Sequence, residues 1–257
     1  MELTPVNLFV EEFGQGVPLV FLHGFPFDHS IWEPLLPLLK DRARLVLPDL
    51  RGYGNSPDGQ VNHSMRLMAE DVLLLLDHLD LDKVILVGHS MGGYVALSFA
   101  HAYPHRLAGL ALVASQATPD LPEKRQSRLV QARDLKRKGI KLLSGSMPAA
   151  LTPVPEVQGV VKSIIEKVAV TSAIHSLKGM AERQDANPWL AGIKVPALVV
   201  AGVNDKIIPL EKSRTMARML CKGWIVEIKG AAHLPMMEKP AETADAIRQL
   251  INAVGNC

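Results

Sequence analysis

The sequence predicts an α/β protein, a mostly parallel sheet with helices on both faces and one inserted block of helix. Three observations carry this. Short β-branched or aliphatic runs alternate with amphipathic stretches along most of the chain. Several runs are apolar throughout rather than alternating, as strands covered on both faces are. Roughly seventy consecutive residues then break the rhythm with prolines and helical patterns, which is too long for a plain loop.

The strand candidates are Leu8 to Phe13, Pro18 to Leu22, Ala43 to Pro48, Lys83 to Gly88, Leu107 to Ala114, Pro196 to Ala201 and Trp224 to Lys229. Their lengths suit buried strands better than helices. Between them, Ser30 is expected to cap a helix running to about Lys40, with Glu33 completing a capping box. Ser64 opens a second, to about Leu79, with Leu67, Asp71, Leu74 and Leu75 at helical spacing. Met91 to Ala102 is small and apolar, suited to close packing on a sheet, and Pro240 starts the last helix at a position that tolerates proline.

The block that breaks the alternation covers residues 118–187 and contains Pro119, Pro122, Pro148, Pro153 and Pro155. Its regular parts read as helices over Glu123 to Lys138, Glu156 to Val170 and Thr171 to Gln184. It is expected to form a helical cap subdomain on a core made of residues 1–117 and 188–257. The basic cluster of its first helix, Lys124 to Lys138, is expected to be a solvated face.

Composition narrows the function classes. The chain has 257 residues, 48% of them hydrophobic and 21% charged, which argues against disorder. A net charge of +2 gives no reason to expect nucleic acid as a partner. Two cysteines, Cys221 and Cys257, cannot build a disulfide framework, so a cytoplasmic setting is expected. The N-terminus has no basic segment followed by an apolar run, and so does not read as a signal peptide. The longest apolar stretches fall well short of the ~20 residues that a membrane span needs.

Chemistry is concentrated at the ends of the predicted strands. Gly88-His89-Ser90-Met91-Gly92 fits G-x-S-x-G, directly after an apolar strand and before a helix. Such a turn exposes a serine at the carboxyl edge of the sheet and near a helix N-terminus, where negative charge is favoured. His23-Gly24-Phe25-Pro26 follows an earlier strand. The backbone N–H groups of Phe25 and Met91 are candidates for an oxyanion hole, while His23 is expected to hold its loop. Asp205 follows the strand from Pro196, and His233 follows the last strand. A serine hydroxyl needs an imidazole base, and the imidazole needs a carboxylate to fix its tautomer. Ser90, Asp205 and His233, each after a strand, form that set.

Competing residues have plainer roles. Asp49 is expected to cap or pair, and Glu238 to cap or anchor the final helix. Asp120 is the one serious competitor to Asp205 as the acid. His175, Met180, Arg183 and Trp189 are candidates to line a pocket under the cap. No Cys/His spacing suggests a metal, and no phosphate loop or dinucleotide fingerprint is present, so no cofactor is expected.

These motifs, together with Asp49-Leu50-Arg51-Gly52-Tyr53-Gly54-Asn55-Ser56, resemble the α/β-hydrolase superfamily. Within it, the chain is similar to small capped enzymes: carboxylesterases, 3-oxoadipate enol-lactonases and related lactonases, C–C bond hydrolases and cofactor-free perhydrolases. The resemblance implies a sheet of about eight strands with the cap after the sixth. Haloalkane dehalogenases and epoxide hydrolases share the layout but carry aspartate where this chain has Ser90. The expected activity is carboxylic ester hydrolysis through an acyl-enzyme on Ser90, on a small-molecule ester or lactone. Lactone opening, C–C cleavage and perhydrolysis are the alternatives on the same residues, and a non-catalytic ligand receptor is the rival from another class.

Overall fold

The computed structural model describes residues 4–59 and 63–255; Cys257, at the expected C-terminal tail, lies outside them. Strands β1 (Val10–Phe13), β2 (Pro18–Leu22) and β3 (Arg44–Pro48) open the chain, with a 3-10 turn (His29–Leu35) and a short helix α1 (Leu36–Leu39) between the last two. Helix α2 (Met65–His78), β4 (Val84–His89), α3 (Met91–Ala102) and β5 (Leu107–Val113) follow. Helices α4 (Pro122–Lys138), α5 (Lys141–Leu151), α6 (Pro155–Glu166), α7 (Val170–Ala181) and α8 (Asn187–Leu190) come next without a strand. The chain ends with β6 (Ala197–Gly202), α9 (Leu210–Met219), β7 (Gly223–Ile228), α10 (Pro235–Glu238) and α11 (Pro240–Gly255).

The strands form one sheet in the order β1-β3-β2-β4-β5-β6-β7, parallel except for β1. It has seven strands among the described residues, against the eight implied by the resemblance, because Thr4 to Phe9 leads into β1 without regular structure. The helical block accordingly follows the fifth strand. Every residue of β4 and β6 is buried, which explains why these runs show no polar alternation. Leu22 lies opposite Gly88, His89 opposite Val113 and Gly202 opposite Ile228, so the carboxyl ends of β2, β4, β5, β6 and β7 reach a common edge.

Local sequence explains most helix boundaries. Ser64 caps α2 by accepting from the N–H of Leu67 at 3.1 Å. The helix expected from Ser30 begins differently. Asp28 is the cap, its carboxylate accepting from the N–H of Ser30 at 3.0 Å. Pro34 and Pro37 each lack a donor, and the segment runs as 3-10 before a single turn of α-helix. Helices α5 and α9 gave no clear signal in the sequence. In α5, Gly145 and Pro148 mask the periodicity, yet Leu143, Pro148 and Leu151 are buried. Its partner α6 buries Val157, Val161, Ile164 and Ile165.

Beneath the loop after β3, Arg51 is fully buried and forks onto both carboxylate oxygens of Asp71 in α2. Asp71 also accepts from the N–H of Val6 at 2.8 Å, tying the N-terminal segment to the same pair. Removing one member of such a pair leaves an uncompensated buried charge. We expect Arg51→Leu to lower the unfolding free energy by about 3–5 kcal/mol, read from the urea midpoint. A loss under about 1 kcal/mol would show that the pair holds little of the fold together.

Candidate active site

Ser90 sits between β4 and α3 with φ 49° and ψ −111°, a backbone conformation a side chain rarely adopts. Its neighbours permit this. A Cβ on Gly88 would come within 2.5 Å of the Gly92 carbonyl oxygen, and one on Gly92 within 2.3 Å of the Leu22 carbonyl oxygen. The turn is held by hydrogen bonds on both sides. Ser90 N–H donates to the Val113 carbonyl at 2.9 Å, and the Ser90 carbonyl accepts from Gly93 N–H and from Ser115 Oγ.

Three side chains from three loops converge there. His233 Nε2 lies 3.0 Å from Ser90 Oγ, and His233 Nδ1 lies 2.8 Å from Asp205 Oδ2. Asp205 is oriented through its other oxygen, which accepts from the N–H groups of Ile207 at 2.7 Å and Ile208 at 3.0 Å. His233 and Asp205 are buried, while Ser90 is half-buried at the floor of a cavity.

The loop after β2 packs directly on Ser90, since a Cβ on Gly24 would lie 3.1 Å from the Ser90 Cβ. His23 holds this loop, as its sequence context suggests. Its Nδ1 lies 2.9 Å from the Gly24 carbonyl, and its Nε2 accepts from the N–H of Leu50 at 2.8 Å. Complete burial lowers the His23 pKa, so the neutral ring that these bonds require is favoured. Phe25 lines the cavity beside Ser90 and His233. Met91 is the first residue of α3, where an N–H has no intrahelical acceptor.

Asp49 accepts from the N–H and Nδ1 of His29 and from the N–H of Asn55, and so braces the loop after β3. Asp120 is engaged by two guanidinium groups, Arg128 Nε at Oδ2 and Arg183 Nη1 at Oδ1 (2.8 Å), whereas Asp205 is the carboxylate at His233. Glu238 does something the sequence did not indicate. Instead of capping the final helix as expected, its carboxylate accepts from the N–H of Ala232 at 2.7 Å and of Leu234 at 2.9 Å, the two neighbours of His233. His233 N–H itself donates to the Leu151 carbonyl at the end of α5, at 3.1 Å.

The cavity has a volume of about 420 Å³ and lies between the core loops and the helical block. Of the four pocket candidates, Met180 lies in its wall. Arg183 stands behind the wall, with its guanidinium over the Tyr94 ring at 4.3 Å and bonded to the Met180 and Thr118 carbonyls. Trp189 stacks on His101 at 4.3 Å, away from the cavity. His175 lies instead beside His63 and Asp58.

That last group is the one cluster of metal-ligating side chains found among the described residues, its ligand atoms lying within 4.8 Å of one another. The three residues are too far apart in sequence for spacing to reveal them. His63 already uses both ring nitrogens, Nε2 at 2.6 Å from Asp58 Oδ1 and Nδ1 at 2.9 Å from Ser176 Oγ, which stitches α7 to the core. Burial lowers its pKa to about 4 despite the Asp58 charge. The unfolded chain therefore binds a proton near 6.5 that the folded chain refuses until about 4, and stability is lost as pH falls through that window. We expect His63→Asn to be less stable at neutral pH but to lose less stability between about pH 7 and pH 5, measured by urea unfolding.

A seven-stranded, mostly parallel sheet with a serine on a strand-to-helix turn, a histidine and an aspartate at its carboxyl edge defines the α/β-hydrolase class. A sequence model of the alpha/beta hydrolase family matches residues 19–246, and the chain belongs to that family. A thermophilic esterase from Thermogutta terrifontis, solved with malate bound, superposes with a TM-score of 0.93 at 37% identity, over 96% of this chain and 93% of that one. A pimeloyl-[acyl-carrier protein] methyl ester esterase of Aeromonas hydrophila is 28% identical over 96% of this chain and 100% of its own. The enol-lactonase of Burkholderia xenovorans LB400 shares the fold, with a TM-score of 0.89 at 23% identity over 96% and 98% of the two chains. No described helix is long and apolar enough to cross a membrane.

Proposed function

We propose that this chain is a serine hydrolase of carboxylic esters, acting through an acyl-enzyme on Ser90. The observation that carries the reading is the continuous chain of contacts from Ser90 Oγ through His233 to Asp205, at 3.0 Å and 2.8 Å. Asp205, fixed by the N–H groups of Ile207 and Ile208, keeps the proton of His233 on Nδ1. That leaves the Nε2 lone pair facing the serine hydroxyl. Ser90 Oγ attacks the ester carbonyl carbon as His233 Nε2 takes its proton. The N–H groups of Phe25 and Met91 receive the oxygen of the tetrahedral intermediate. His233 then protonates the departing alkoxide. A water, deprotonated by the same nitrogen, attacks the acyl-enzyme, and the proton returns to Ser90 Oγ as the acid leaves.

The esterase relatives support the ester as substrate. The same residues would open a lactone, with the leaving alkoxide tethered to the acyl group. Ser90→Ala is expected to abolish turnover of a short-chain p-nitrophenyl ester while its thermal midpoint stays close to wild type. Labelling of Ser90 by a fluorophosphonate is expected in the wild type. Failure to label would instead favour a ligand-binding protein that keeps the fold.

Two further variants separate roles. Asp205→Asn is expected to lower kcat by about 10⁴-fold, because the amide presents the wrong partner to Nδ1. Glu238→Ala frees both N–H groups that frame His233. A drop of about 10- to 100-fold in kcat with little change in KM is expected from a displaced base.

A further inference from the structure

The wall of the cavity above Ser90 carries unequal charge. Lys124 and Arg128 of α4 and Lys212 of α9 line it, against the single carboxylate of Asp120. Three cations against one anion leave an excess of two positive charges. The anion has little left to offer them. Arg128 holds one of its oxygens, and Arg183, buried behind the wall, holds the other at 2.8 Å. Lys212 Nζ donates to a neutral acceptor, Oε1 of Gln116, at 2.8 Å. Lys124 has no ion-pair or hydrogen-bond partner among the described residues. Partial burial, and next the nearby Arg128 guanidinium, push its ammonium below the ordinary lysine range. A cation beside other cations is disfavoured until an anion joins it.

The same cavity is also lined by apolar side chains, Met147, Leu151, Met180 and Ile208 among them. Such a surface accommodates a methylene chain. One cavity therefore holds a serine, apolar side chains and a cationic set. We infer that the wall is a carboxylate subsite, and that the preferred substrates are esters bearing a second, free carboxylate remote from the scissile bond, such as half-esters of dicarboxylic acids. This rests on the reading of Ser90 as an ester-hydrolysing nucleophile. It assigns to Lys124, Arg128 and Lys212 a role that Arg183, itself a pocket candidate from the sequence, does not take, being spent on Asp120, two carbonyls and the Tyr94 ring.

The test compares monoethyl adipate with ethyl hexanoate, and 6-acetoxyhexanoate with hexyl acetate, so that the charge is placed on the acyl or the alcohol side. In at least one pair the charged ester is expected to show kcat/KM about 10-fold or more above the neutral one, mainly through KM, with the ratio shrinking as salt screens the wall. Lys124→Glu and, separately, Lys212→Gln are expected to lower that ratio. Equal kcat/KM within both pairs would overturn the inference, as would a preference that both variants keep unchanged. Adipate binding by Ser90→Ala, followed by calorimetry, reads the subsite without turnover. If wild type hydrolyses no ester at all, the reading of Ser90 fails, while measurable adipate binding, weakened in the Lys124→Glu background, would still uphold the subsite and its absence would sink it.

Discussion

The structure depends on one strained residue. Ser90 holds a positive φ between a fully buried strand and an apolar helix, at a cost of order 1–3 kcal/mol for a side chain in that region. A conformation of this kind persists only where its surroundings over-determine it. Here β5 supplies an acceptor for the Ser90 N–H, Ser115 donates to its carbonyl, and Gly88 and Gly92 allow backbone contact on either side of the turn. The strain is held by the centre of the sheet, the part of the fold least free to relax. Every other element at the site takes its position relative to this turn.

The loops that surround Ser90 share a second device. Each is pinned by a polar side chain that accepts from backbone N–H groups of the same loop or of a neighbouring one. His23 takes the N–H of Leu50, Asp49 those of His29 and Asn55, Asp205 those of Ile207 and Ile208, and Glu238 those of Ala232 and Leu234. Asp205 illustrates why this matters. One oxygen is immobilised by its own loop, so the other meets His233 in a fixed direction. His89, beneath the site, completes the bracing with Nε2 at 2.9 Å from the His233 carbonyl. Full burial, and secondarily the neighbouring His233, keep its pKa well below the ordinary histidine value, which favours the neutral ring.

What could be read from the sequence is what is encoded locally. The Gly88 to Gly92 turn, the strand-end positions of Asp205 and His233, the cap at Ser64 and the apolar runs of β4 and β6 are all properties of a few adjacent residues. The 3-10 turn after Asp28 and helix α5 were not legible, because prolines blur the periodicity. Non-local pairings were out of reach for a different reason. Asp58, His63 and Ser176 meet only after α7 packs on the core, and nothing in their spacing announces it. The cavity lining shows the same limit: Lys124 and Lys212 stand on separate helices and become neighbours of one cavity only in the folded chain.

The helical block between β5 and β6 is more than a wall. Its α4 presents Lys124 and Arg128 to the cavity, while the last carbonyl of its α5, Leu151, accepts the backbone N–H of His233. The helix that gives the cavity two of its cations is therefore packed against an element that helps to hold His233. Asp120 adds a third link, because its two arginines come from α4 and from the end of α7 and are drawn together on a single carboxylate. That arrangement removes Asp120 from competition for His233 and leaves Asp205 as the carboxylate that faces the ring. One ionic cluster thus holds the charged wall in place and separates the two acids. A change in any of its three members should be felt both in how the cavity meets a charged ligand and in how His233 is held over Ser90.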